Sequence, residues 1–173
     1  MVMEPGENTT MDQGIGAAGN REGKYLTFML DDEEYGIWIK KVREIIGMMQ
    51  ITTVPQTPGY VKGVINLRGK VVPIVDLRLK FGMESMAYTE RTCIIVVEVR
   101  SKTHAISMGI VVDAVSEVVN IRENEIEETP HFGVRLNTDY ILGMAKAENG
   151  VKILLDIDRV LCAEEISMLA NVA

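Results

Sequence analysis

Cysteine and histidine are scarce: the 173 residues hold two of each, Cys93 and Cys162, His104 and His131. Two cysteines so far apart build no disulfide framework. A bridge between them is open to the chain but not favoured without a secretion signal, and Cys93, heading an apolar run, reads as a small buried hydrophobe. Neither histidine has a cysteine at ligand spacing, which argues against a zinc site. Long apolar stretches are missing as well; runs such as Cys93–Val97 are far too short to cross a membrane. Basic charge is the minority, 18 Lys and Arg against 25 Asp and Glu for a net −7, with no basic block to hold a nucleic acid. The opening residues, MVMEPGENTTMDQG, carry neither a basic n-region nor an apolar core, so a cytoplasmic protein is expected. Aromatic residues make up 5%, which leaves valine and isoleucine to fill the interior.

What is present is a series of short β-type runs. Residues 1–23 are polar and aperiodic and read as a disordered tail, with order beginning near Lys24. Tyr25–Leu30 and Tyr35–Ile39 flank the acidic turn Asp31-Asp32-Glu33-Glu34 and predict a hairpin. Val42, Ile45 and Ile46 stand at i, i+3, i+4 before Gly47, the spacing of one or two helical turns. Pro55 and Pro58 mark an extended connector. Val61–Ile65 and Val71–Val75 then enclose Asn66-Leu67-Arg68-Gly69, a tight turn in which the glycine can take φ > 0. A buried strand pair needs no arginine at its tip, so Arg68 suggests a docking point. Asp76 caps a short helix with Leu77, Leu79 and Phe81 inward, and residues 83–91 form a loop. Further β blocks are Cys93–Val99, Ala105–Ile121 and Tyr140–Leu155, the last split at Glu148-Asn149-Gly150, a hairpin signal. Residues 121–137 read as an exposed crossing, and Ile166, Leu169 and Ala170 line one face of a closing helix. Short strands at this spacing indicate an all-β barrel or sandwich. No long internal repeat stands out; VVPIVDL, GIVVDAV and VKILLDI are a weak echo, apolar runs ending in aspartate.

That echo carries the one enzymatic alternative. Leu154-Leu155-Asp156-Ile157-Asp158 is an apolar strand running into D-x-D, the pattern by which a Mg²⁺-requiring phosphatase or hydrolase presents a nucleophile and an acid/base. The parallel α/β context and downstream lysine of such enzymes have nowhere to come from, and the competing reading is a strand end that caps the next turn. A dyad of Asp76 and Asp113 is weaker still, because bulky neighbours follow each. Gly14, Gly16 and Gly19 spell G-x-G-x-x-G without a preceding strand or a following helix, and no serine sits in a G-x-S-x-G elbow. Met48, Met49 and Met108 offer either an adaptable docking surface or core filling. Lys40, Lys41 and Arg43 read as a solvated face, and Glu44 beside them can pair with a nearby arginine and fix its fork.

Taken together, YLTFMLDDEEYGIWIKKVREIIG, TTVPQTPGYVKGVINLRGKVVPIVDLRLKFG, GIVVDAVSEVVNI and ILLDIDRVL resemble the CheW-type chemotaxis adaptors over residues 24 to 170. The resemblance implies an all-β fold of two SH3-like five-stranded barrels packed across an apolar seam, with short helices and a short C-terminal one. Approximate subdomains are 24–70, with a return of C-terminal strands left open, and 71–155. It implies a non-enzymatic protein without cofactor or metal that joins the cytoplasmic tips of chemoreceptors to the CheA histidine kinase at membrane receptor arrays, held there by protein contacts. Arg68 and Glu44 would sit together on the receptor-binding surface, with Val42, Gly63, Val115 and Val118 nearby. The bland alternative for the valines is core packing. Kinase contacts are poorly marked, with Asp31, Asp32, Glu33 and Glu34 the candidate turn. Cys162 departs from the serine or asparagine that often leads into the family's last helix.

Overall fold

The structure is a computed structural model and describes residues 20–100, 104–130, 138–148 and 150–161. The glycines at 14, 16 and 19, His131, Cys162 and the closing helix with Ile166, Leu169 and Ala170 lie outside the described residues. Order begins before Lys24: Arg21 is 8% exposed and its guanidinium holds Glu123 at 2.7 Å.

Among the described residues, eleven strands form two sheets. The chain runs β1 (Gly23–Leu30), β2 (Glu33–Trp38), a 3-10 turn (Ile39–Lys41), β3 (Val42–Gly47), β4 (Val61–Leu67), β5 (Lys70–Asp76) and the one-turn helix α1 (Leu77–Lys80). It continues through β6 (Cys93–Arg100), β7 (Ala105–Val112), β8 (Ala114–Ile121), the two-residue β9 (Ile126–Glu127), β10 (Ile141–Ala147), β11 (Gly150–Leu155) and α2 (Ile157–Val160). The first sheet has the order β8-β1-β2-β11-β10-β9 and the second β3-β6-β7-β5-β4. The fold is thus the expected pair of small β barrels, one sheet carrying a sixth strand. The expected boundary at 70/71 falls inside β5, after its first residue, and parts most of β5 from β4, its partner in the sheet.

Residues 42–47 are a strand, not the helical turns that the spacing of Val42, Ile45 and Ile46 suggested. Pairing with β6 decides the matter: strand alternation puts Val42, Glu44 and Ile46 on the half-buried side while Arg43 and Ile45 face out, and the register shifts between Val42 and Glu44. A bulged strand of β-branched residues reproduces helical spacing over so short a run.

Two members of the weak echo, VVPIVDL and VKILLDI, are counterparts in a duplication not recognised from the sequence, and the third, GIVVDAV, belongs to another part of it. Gly36–Gly47 (GIWIKKVREIIG) matches Gly109–Asn120 (GIVVDAVSEVVN), and Tyr60–Leu77 matches Tyr140–Ile157. The registers agree in detail. Gly36 pairs with Leu154 and its counterpart Gly109 with Ile74. Val61 pairs with Val75 and Gly63 with Ile74 across one bulge; Ile141 pairs with Leu155 and Gly143 with Leu154 across another. The Asp76 amide donates to the Tyr60 carbonyl at 2.8 Å, and the Asp156 amide to that of Tyr140 at 2.8 Å. Lys80 lies over both of these tyrosine rings, at 4.6 and 5.6 Å from their centroids.

The two halves interlock. Hairpin β1–β2 of the first half is flanked by β8 and β11 of the second, and hairpin β6–β7 by β3 and β5 of the first. The largest core cluster, with Leu26, Phe28, Ile37, Val97, Ile110 and Leu155, draws on both sheets and forms the seam. Each such side chain contributes roughly 1.5–3 kcal/mol by leaving water.

Candidate protein-binding face

Arg68 and Gly69 are the two central residues of the β4–β5 turn, with Leu67 and Lys70 paired across it. Their φ angles, 51° and 88°, are both positive, as a type I′ turn requires. The Asn66 side-chain oxygen accepts from the Gly69 amide at 2.8 Å and steadies the turn. Arginine is an uncommon residue at positive φ, since its Cβ crowds the backbone there. Local folding therefore gains nothing from Arg68, and its side chain stays 69% exposed while bonding Glu44 on β3. Glu44 is 31% exposed and stands on the half-buried side of β3.

Two exposed apolar residues are its chain neighbours: Ile45, which follows Glu44 but faces out on the opposite side of β3, is 44% exposed, and Val71, just past the turn, is 60% exposed. Ile45 was expected to point inward, and alternation along a strand, had it been recognised, would have turned it out. Arg43, on the same side of β3, is ion-paired with Glu98 of β6.

The other candidates separate into contacts and supports. Val42 is partly buried against the seam opposite Val97. Gly63 lies on β4 at φ 139°, where a Cβ would stand 2.0 Å from the Thr52 carbonyl oxygen. Its hydrogen is what lets Thr52 bridge Val64, so Gly63 is needed by the backbone rather than available as a contact. Val115 and Val118 belong to β8 in the first sheet, Val115 packed against the seam and Val118 49% exposed. Val42 and Val115 occupy matching positions in the two halves, as do Glu44 and Glu117, and Ile45 and Val118.

In the acidic turn only part of the charge is free. Asp31 lies 3.4 Å from the Arg78 guanidinium, and Glu34 accepts from Lys152 at 2.8 Å. That bond holds the Glu34 carboxyl below its ordinary range, against the opposing pull of burial. Asp32 and Glu33 are exposed.

The acids weighed for catalysis are spoken for. Asp156 caps α2 by accepting from the Asp158 amide, and Asp158 accepts from Lys41 Nζ at 2.9 Å and the Arg100 amide at 3.0 Å. Asp76 caps α1 and accepts from the Tyr88 hydroxyl, whose pKa burial and the Asp76 charge push up to about 12. Asp113 is bonded by Arg78 at 2.6 Å. No group of three acids, histidines or cysteines among the described residues is placed to hold a metal. A cavity of about 670 Å³ opens beside Arg78, with Met86 and Tyr88 on its rim and Met29 and Val111 in its lining. No helix among the described residues is long and apolar enough to cross a membrane.

Comparison with known proteins adds a common pattern. Residues 24–165 match the CheW-like domain. The chain is 43% identical over 157 residues to the chemotaxis protein CheW of Klebsiella aerogenes, covering 90% of this chain and 92% of that one. It is 36% identical to the chemotaxis protein CheW of Bacillus subtilis, covering 82% and 88% of the two chains. The crystal structure of the scaffolding protein TtCheW from Thermoanaerobacter tengcongensis superposes with a TM-score of 0.73 at 33% identity, over 83% of this chain and 95% of that one.

Proposed function

This chain belongs to the CheW family of non-catalytic chemotaxis adaptors, and from that premise we propose that it couples chemoreceptor cytoplasmic tips to a CheA-type histidine kinase. Its place would then be the cytoplasmic side of membrane receptor arrays, held there through protein contacts. The observation that carries the reading is the Arg68–Glu44 pair, a guanidinium on an exposed turn held by a strand carboxylate. An exposed charge pair, with Val71 just past the turn adding apolar area, suits the amphipathic face of a helix, where apolar contacts supply affinity and the charges set the register. Val42 and Val115 would support this surface from beneath, Val118 would extend it, and Gly63 would keep the strand under the turn in place. Asp32 and Glu33, exposed at the β1–β2 turn, are the acids of that turn best placed to meet the kinase.

Reconstitution tests the proposal. Receptor-containing vesicles with a CheA-type kinase should show autophosphorylation rising severalfold when the chain is added. They should sediment both proteins only when all three components are present. Kinase activity and sedimentation indifferent to the chain would remove the coupling role.

A further inference from the structure

Two ion-pair clasps with reversed charges join corresponding elements of the duplicated halves, although Lys41 stands one position after Lys40, the counterpart of Asp113. In one, Arg78 of α1, in the first half, meets Asp113 of the β7–β8 link, in the second half, at 2.6 Å. It is 6% exposed, also gives Nε to the Glu84 carbonyl at 3.0 Å, and reaches Asp31 of the β1–β2 turn at 3.4 Å. In the other clasp, Asp158 of α2, the counterpart of Arg78, meets Lys41 of the β2–β3 link at 2.9 Å. It also accepts at 3.0 Å from the amide of Arg100, at the β6–β7 turn. Each clasp therefore joins the one-turn helix of one half to the link that launches the crossing strand of the other.

The distribution of sign matters more than either bond. Within the first half the clasp residues Arg78 and Lys41 are both cations; within the second, Asp113 and Asp158 are both anions. Were each half to close on itself, β5 would lie beside β2 and β11 beside β7. Arg78 would then face the Lys40–Lys41 link and Asp158 would face Asp113. Only the interlocked pairing brings opposite charges together, and like charges at short range in a partly buried site are strongly disfavoured. We propose that Arg78, Asp113, Lys41 and Asp158 are positioning residues that select the interlocked pairing, seating β3 and β8 in the opposite barrel. If the receptor-face reading above holds, they thereby place Glu44, Val115 and Val118.

Asp158→Lys and the charge exchange Asp158→Lys with Lys41→Asp, made in the full chain, test this. The single variant sets two cations together, so amide hydrogen exchange across Val42–Gly47 should speed at least tenfold while the β4–β5 hairpin keeps its protection. The exchanged pair restores the cross-half attraction but also makes each half internally attractive. It should recover thermal stability yet show a second set of NMR amide signals for β3 and β8. Unchanged exchange in the single variant would overturn the proposal. So would a single native-like signal set in the exchanged pair, the result expected of a merely local bond. None of these readouts uses a receptor, so a failure here is separable from a failure of the coupling function.

Discussion

Arg68 reaches from the tip of the β4–β5 turn to Glu44, and the matching positions of the second half hold Glu148 and Glu117. The duplicated scaffold thus presents a paired cation and anion on one barrel and two acids on the other. Glu44 lies on β3 and Arg68 on the turn from β4 to β5, at opposite ends of the second sheet's strand order, and a change of either exposed side chain disturbs little packing.

That placement sets the stability cost. Exchanging the charges, Arg68→Glu with Glu44→Arg, should shift unfolding free energy by no more than about 1 kcal/mol, because exposed ion pairs contribute little. Receptor binding should nonetheless fall, since the cation then sits on β3 instead of the turn. Denaturant titration and receptor sedimentation on one preparation would check both halves of this statement.

Gly63 should behave in the opposite manner. In Gly63→Ala the new methyl meets the Thr52 carbonyl in a backbone conformation that side chains disfavour, and unfolding should come easier by on the order of 3 kcal/mol. Where the variant is still folded, its receptor affinity should lie within about threefold of the parent chain, a difference below 1 kcal/mol. Thermal unfolding followed by binding at a permissive temperature separates the two effects.

Asp156→Ala removes the cap of α2 and should cost about 1 kcal/mol. The parent protein should turn over no generic phosphoester with Mg²⁺, and the variant none less. Mg²⁺-dependent hydrolysis lost on substitution would revive the enzymatic alternative.

Acid should weaken the fold through specific carboxylates. Glu34, bonded by Lys152, and Glu123, bonded by Arg21, both titrate below the ordinary glutamate range in the folded protein. A depressed folded-state pKa contributes stability above the unfolded value of about 4.3, and that contribution fades as pH falls through the folded value. Urea midpoints should therefore drop between about pH 5 and pH 3. Lys152→Met should be less stable than the parent at pH 6, and the gap should narrow near pH 3.

Local chemistry was legible in the chain and long-range pairing was not. Asn66-Leu67-Arg68-Gly69 announced its turn, and Asp76 and Asp156 announced their caps, because each depends on neighbours a few residues away. The Glu148–Gly150 hairpin was readable for the same reason. Residues 42–47 were misread since a bulged strand and a helix share their apolar spacing there, which hid the exposure of Ile45. The duplication escaped because its matches are mostly glycines and interchangeable aliphatics, and it becomes plain only when the registers are compared. Nothing near Arg78 in the sequence points to Asp113, 35 residues on. The meeting of Arg68 with Glu44 was foreseen through family resemblance, with a local hint only that Glu44 could hold some arginine.

Isothermal titration of a soluble receptor-tip fragment with the parent chain and with Arg68→Glu tests the central claim most directly. Affinity should fall tenfold or more, about 1.4 kcal/mol, with an unchanged circular dichroism spectrum and midpoint. Added salt should weaken parental binding only modestly, because apolar contacts carry most of the affinity. Equal affinities for the two proteins, both folded, would contradict the claim.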